Sequence, residues 1–154
     1  MPIVPLTRMS SSNVNTFVGL NRASAIAQAR VHSGVKATDV GRVTPLWPRL
    51  LKYENDDAFV PLFPDPKYVW DSFTTTPQIR FFAQGFSNIF LNVDEQIFVS
   101  LTVFCDNAHD VKIDIFDETN GDLFTTITPA ANEIPLVAWN SAFYYVDSLT
   151  LQHI

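Results

Sequence analysis

Histidine, cysteine and carboxylate side chains are the groups in this sequence that could catalyse a reaction or bind a metal. The three histidines, His32, His109 and His153, are not spaced with a second histidine, a cysteine or an acid in a recognisable metal-binding pattern. Cys105 lies on the predicted apolar side of a strand, where a cysteine usually serves as a small hydrophobic residue. No nucleophile elbow, phosphate-binding loop or dinucleotide fingerprint occurs. We therefore expect no catalytic residue, no metal site, no cofactor and no enzymatic activity.

Acidic residues are abundant in the second part of the chain and leave two alternatives open. Two carboxylates that face each other across a cleft would suit a hydrolase. Several oxygen ligands in adjoining turns would suit calcium. The segment 117–122 lacks the spacing of an EF-hand loop, and charged turns between strands explain these acids more simply. The sequence does not decide whether the acidic turns bind calcium.

Charge is divided along the chain. Residues 1–52 carry seven basic residues and one acid, a net charge of 7 − 1 = +6, whereas residues 53–154 carry three and fifteen, a net charge of 3 − 15 = −12. The basic residues are too dispersed for us to expect nucleic-acid binding. We expect them to meet an acidic protein surface, including that of another copy, although a merely solvated segment is the alternative. The candidate partner-binding residues are Arg22, Arg30, Arg42, Trp47 and Arg49.

The first 77 residues are predicted to contain little regular structure. Residues 1–52 are interpreted as a basic extended arm with one short helix at about 22–33, capped by Asn21 and stopped by Ser33 and Gly34. Residues 53–77 are interpreted as a proline-rich segment that wraps across a surface. The residues predicted to form the packed face of the helix are Ala23, Ile26, Ala27 and Arg30.

Residues 78–154 show the alternation of apolar and polar residues that is typical of β-strands. Asn120 and Gly121 predict a tight hairpin turn, and Pro129 is read as a break between two strands. Short strands with turn residues between them indicate a sandwich or barrel. The predicted strand segments are 79–83, 89–93, 97–105, 111–115, 123–127, 134–138 and 143–151.

Four aromatic residues could form a stacking platform for sugar rings, although core or interface packing is the favoured interpretation. They are Trp70, Trp139, Tyr144 and Tyr145. The closing segment, Phe143-Tyr-Tyr-Val-Asp-Ser-Leu-Thr-Leu151, resembles the last strand of carbohydrate-binding jelly-roll modules, where an aromatic, a hydrophobic residue and an aspartate recur in this order. That resemblance implies an alternative function, a carbohydrate-binding or receptor-recognition module.

The whole layout, an acidic β-rich body behind a long basic segment, resembles small virion structural proteins such as decoration, auxiliary capsid or head–tail joining proteins of tailed phages. The resemblance implies an antiparallel, jelly-roll-like β-sandwich with an extended N-terminal arm that docks on neighbouring subunits. It also implies a homo-oligomer whose partners are its own copies or other capsid or tail proteins. The sequence does not define the symmetry, the partner or the part of the particle that it would occupy.

The expected location follows from the resemblance and from the ends of the chain. The N-terminus lacks a charged leader followed by an apolar core, so no signal peptide is predicted. No apolar stretch is long enough for a membrane-spanning helix, so we expect no membrane association. The protein is therefore expected to be made in the cytoplasm and to reside in a virion after assembly.

Overall fold

The computed structural model describes residues 7, 9–41, 67–71, 79–87, 96–105, 108–117, 119–133 and 142–150. Within these residues the chain forms one helix, α1 (Arg22–Arg30), and eight strands whose pairs are all antiparallel, which confirms the mainly β fold class. Two compact units are present, one holding the described residues up to 87 and the other those from 96 onward. The strands are β1 (Phe17–Gly19), β2 (Thr38–Asp39), β3 (Val69–Trp70), β4 (Phe81–Ala83), β5 (Gln96–Phe104), β6 (His109–Phe116), β7 (Leu123–Glu133) and β8 (Ala142–Thr150).

Strand β1 is the centre of the first unit. It pairs on one side with β4, so that Phe17 lies opposite Ala83. On its other side the N–H of Val18 donates to the carbonyl of Val35 at 2.9 Å. The chain continues from there into β2, which pairs with β3. The backbone groups of β1 are thus satisfied from both sides, as a buried strand requires.

The predicted start of the helix is confirmed. The side-chain oxygen of Asn21 accepts a hydrogen bond from the N–H of Ser24 at 2.8 Å, which satisfies one of the N–H groups that a helix leaves unpaired at its start. The helix ends at Arg30, earlier than the predicted residue 33, because His32 adopts a φ of +50° that α-helical backbone does not allow.

The predicted packed face of the helix is wrong. The buried residues are Ala25 and Ala29, whereas Ala23, Ala27 and Arg30 are exposed and Ile26 is half-buried. The reason is close packing between small residues. A Cβ atom on Gly19 would lie 2.7 Å from the N of Ala25, and one on Gly85 would lie 2.8 Å from the carbonyl oxygen of Ala29. A helix that approaches a sheet this closely buries alanine rather than isoleucine.

The extended arm is also corrected, because residues 9–41 belong to a compact unit. Five of the six buried apolar residues among the described ones lie in this segment, namely Phe17, Val18, Ala25, Ala29 and Ala37. The predicted boundary at residue 78 does not coincide with the units either, since β4 pairs with β1. Residues 42–52 and most of the predicted wrapping segment lie outside the described residues.

The second unit consists of two antiparallel ribbons, β5–β8 and β6–β7. Along the chain, β6 and β7 lie between β5 and β8. The predicted hairpin is present: Gly121 has a φ of +77°, and its N–H donates to the carbonyl of Asp117 at 2.7 Å. The turn is wider than predicted, because Phe116 pairs with Leu123 across a loop of residues 117–122 and Asn120 does not adopt a positive φ. The predicted strand face in 97–103 is confirmed as well, since half-buried and exposed residues alternate there. In 111–115 the alternation holds only in part, because Lys112 is exposed but Asp114 is half-buried like the apolar residues beside it.

Pro129 does not break the strand, so that prediction is wrong. Strand β7 runs through it to Glu133, and the pairing with β6 is irregular between Val111 and Ile113. A proline is tolerated in a strand where the ladder is already interrupted, because its missing N–H then has no partner to lose. The predicted segments 89–93 and 134–138 lie outside the described residues. None of the described helical residues forms a helix long and apolar enough to cross a membrane.

Candidate interaction surfaces

The exposed side of α1 carries apolar residues at helical spacing. Leu20 and Val31 are 76% and 69% exposed at its two ends, and Ala23 and Ala27 lie exposed between them. Ala23, Ala27 and Val31 follow the 3.6-residue period and therefore share one side of α1, whereas Leu20 precedes the extended N-cap Asn21 at the start of the helix. We call these four residues the outer face of α1.

Leu20 occupies a position whose side chain usually packs against its own helix. A hydrophobic residue just before the N-cap often contacts the fourth helical residue, which here is Ala25. Ala25 is instead buried on the opposite side of α1, and Leu20 is directed into solvent. The outer face of α1 therefore has an apolar end that the described residues of the first unit do not cover.

The two units carry opposite charge. Among the described residues, the first unit has five basic and two acidic residues, a net charge of +3, and the second has one and six, a net charge of −5. The first unit is therefore basic and the second acidic, the same signs as the net charges of residues 1–52 and 53–154. Arg30 lies exposed beside the outer face of α1, so this face combines apolar area with positive charge.

Only two of the predicted partner-binding residues lie in the described part of the chain. Arg22 is half-buried at the start of α1, and Arg30 is exposed at its end. Eight residues of helix separate them, a rise of about 12 Å. Arg42, Trp47 and Arg49 lie outside the described residues. The grouping of these five residues into one partner-binding patch therefore stays a prediction.

The β5–β8 ribbon has two different faces. Its inner face carries half-buried Ile97, Val99, Leu101 and Leu149. Its outer face carries Phe98 and Val146, which are 58% and 77% exposed. The other described residues of the outer face are Gln96, Ser100, Thr102, Ser148 and Thr150, and no residue of these seven is charged.

The proposed sugar platform is only partly described. Trp70 is half-buried in the first unit with its ring 5.6 Å from that of Phe82. Tyr145 belongs to the second unit, where its hydroxyl lies 2.7 Å from the Nε2 of His109. Trp139 and the side chain of Tyr144 lie outside the description. The two described aromatics therefore each pack within their own unit.

His109 has a structural environment that its sequence position did not predict. Its ring lies 5.1 Å from that of Phe143 and 5.9 Å from that of Tyr145, both on β8. The histidine thus links the β6–β7 ribbon to the β5–β8 ribbon.

The acidic turn uses its carboxylates within the hairpin. A carboxylate oxygen of Asp117 accepts from the N–H of Thr119 at 2.7 Å, and one of Asp114 accepts from the hydroxyl of Thr126 at 2.7 Å. Across the described ranges, no three His, Cys, Asp or Glu side chains converge in a way that could hold a metal ion. These contacts fit the structural interpretation of the acidic turn.

The apolar residues of both outer faces were not among the sequence-based candidates. Leu20 lies before the N-cap, outside the helical period, so only the spacing of Ala23, Ala27 and Val31 was a usable signal. Phe98 and Val146 occupy positions that alternation assigns to the polar side of their strands. An apolar residue at such a position indicates an exposed apolar surface.

Comparisons with protein-family models, with curated proteins and with solved structures found no match for this chain.

Proposed function

We propose that the protein is a non-enzymatic structural protein that assembles with copies of itself, the outer face of α1 docking on the acidic β unit of a neighbour. The exposure of Leu20 and Val31 at the two ends of α1, with exposed Ala23 and Ala27 between them, is the observation that carries this proposal. Contiguous apolar area bounded by polar residues is characteristic of protein–protein contact sites.

The contact combines two physical contributions. Removing one Leu or Val side chain from water contributes about 1.5–3 kcal/mol. Opposite net charges, +3 and −5 over the described residues of the first and second units, guide the approach of one copy to the next. A contact of this size is weak alone and becomes strong when many identical copies make it at once.

We propose that the assembly is a virion and that the protein is a component of its capsid or tail. Support comes from the resemblance of the layout and from the nested antiparallel pairs, β5–β8 around β6–β7, which is the pairing order of a jelly-roll sandwich. The folded state of residues 9–41 changes the proposed mode of docking. A surface of a compact unit, rather than a flexible arm, makes the contact.

The test is the assembly state of the full chain with two apolar residues replaced. We expect unmodified protein to form species far above its 17.3 kDa monomer in light scattering and electron microscopy. The double variant Leu20→Ser, Val31→Ser removes the apolar ends of the face and should shift the mass towards the monomer.

A matched control is available in the same unit. Val14 and Ile79 are 66% and 78% exposed and do not belong to the outer face of α1. The double variant Val14→Ser, Ile79→Ser therefore loses a similar apolar area and should assemble normally. Assembly that survives the Leu20→Ser, Val31→Ser change, with the fold retained by circular dichroism, would show that the proposed docking is wrong.

A further inference from the structure

We infer that the outer face of the β5–β8 ribbon is a second interaction surface, on which the same face of another copy packs about a twofold axis. This surface belongs to the second unit and is independent of the docking proposed for α1. The side chains that define it are Gln96, Phe98, Ser100, Thr102, Val146, Ser148 and Thr150.

The first argument is the exposed apolar pair. Phe98 lies opposite Ser148, and Val146 lies opposite Ser100, so the two apolar side chains are diagonal neighbours on one face. Diagonal neighbours in an antiparallel pair lie about 7–8 Å apart, which brings a phenyl ring and a valine together into one apolar spot. Their exposure, 58% and 77%, means that the described residues of the chain do not cover this spot.

The second argument is electrostatic. The described residues of the second unit carry a net charge of −5, yet none of the seven outer-face residues is charged. Two such units repel each other in most orientations, because like charges that are brought together at a contact are unfavourable. The uncharged face is where a second copy can approach without placing a carboxylate in the contact.

The third argument concerns symmetry. Ser100 and Val146 are the central residues of two nine-residue strands and lie opposite each other. A twofold axis that runs between the two facing sheets, over Ser100, brings the two Ser100 residues together and places Phe98 of one copy over Val146 of the other. Hydroxyl and amide side chains of the same face lie around that centre. Two sheets can pack in this way with their backbones about 10 Å apart.

The area indicates a contact that acts in combination with others. Nine residues of strand span about 30 Å, and two strands with their side chains are about 10 Å wide, so the outline is roughly 300 Å2 per copy. Stable dimers bury about 800 Å2 per partner. We therefore expect a weak twofold contact that is reinforced by other contacts in an assembly.

The test uses the full chain with the Leu20→Ser, Val31→Ser changes, which remove the α1 contact, and measures self-association by sedimentation equilibrium. Adding Ser100→Asp places two carboxylates next to each other at the proposed axis, and dimerisation should weaken roughly tenfold or more. Thr128→Asp is the matched control, because it adds the same charge at an exposed position of the other ribbon and should have little effect.

A mixing experiment identifies the twofold arrangement. Ser100→Lys alone should weaken dimerisation as Ser100→Asp does, whereas an equimolar mixture of the two variants should associate again, since the two position-100 charges then attract. If Ser100→Asp leaves association unchanged, the inference is wrong. The α1 proposal is decided separately, by the assembly state of the Leu20→Ser, Val31→Ser variant without a change at position 100. If both variants weaken association and the mixture does not recover it, the partner surface is different and the twofold arrangement is wrong. If Ser100→Asp abolishes binding to a glycan array and leaves self-association unchanged, the inferred twofold contact is also wrong.

Discussion

Tyr145 illustrates how the surroundings of a residue decide between the roles that its type allows. An aromatic residue near the end of a sandwich could stack on a sugar ring or anchor a core. In the second unit its hydroxyl is 2.7 Å from His109, and its ring is half-buried. The hydrogen bond joins β8 of one ribbon to β6 of the other, so the hydroxyl serves the fold.

Tyr145→Phe is expected to lower stability without removing the ring. Loss of one hydrogen bond between partly buried groups costs about 0.5–1.5 kcal/mol. In a unit of this size the midpoint of thermal unfolding should then fall by roughly 2–12 °C. Calorimetry of the full chain measures this, with Thr128→Val, which removes an exposed hydroxyl, as the control. An unchanged midpoint in Tyr145→Phe would contradict the structural role.

Replacement of the N-cap tests α1 as an element. Asn21→Ala removes the oxygen that accepts from the N–H of Ser24 and should cost about 0.5–2 kcal/mol of stability. Asn21→Asp keeps an acceptor and should be nearly neutral. In Asn21→Ala, hydrogen exchange should be faster in α1 and β1 than in the unmodified protein. Equal exchange in the Ala and Asp variants would mean that the cap contributes nothing.

The sequence predicted those elements whose cause is local. The start of α1 depends on one side chain and a backbone N–H three residues later, and the Asn120–Gly121 hairpin depends on two residues that suit a positive φ. Alternation likewise predicted the inner faces of β5 and β6.

Pairing between distant segments was not predictable in the same way. Residues 17–19 and 81–83 are each only three residues long, and neither shows that the other is its partner. The packed face of α1 was predicted wrongly for the same reason. The fit of Ala25 and Ala29 against Gly19 and Gly85 depends on a sheet that forms only when β1 meets β4.

At the scale of the whole molecule, the division into units changes how the protein can be dissected. Removing residues 1–44 would take away β1, α1 and β2, and β4 and β3 would lose their partners. Truncation would therefore disturb folding and association together. Point substitutions on exposed faces separate these effects, since the replaced side chains contribute little to the core of either unit.

Two surfaces of different character allow more than a dimer. The α1 contact joins two different surfaces and, on its own, forms rings or open chains, whereas a twofold contact joins identical faces and forms pairs. A protein that makes both contacts can connect chains into a sheet or shell.

Ionic strength should distinguish the two contacts. The α1 contact joins units of opposite charge, so it should weaken as salt shortens the Debye length from about 10 Å at 0.1 M to about 3 Å at 1 M. The β5–β8 contact has no charge in its face and joins two acidic units, so screening should leave it unchanged or strengthen it. Light scattering of the unmodified chain should thus show smaller assemblies at high salt. Sedimentation of the Leu20→Ser, Val31→Ser variant should show dimers that persist under the same conditions. If the dimers of that variant dissociate as salt rises, charge pairs rather than an uncharged face hold them together.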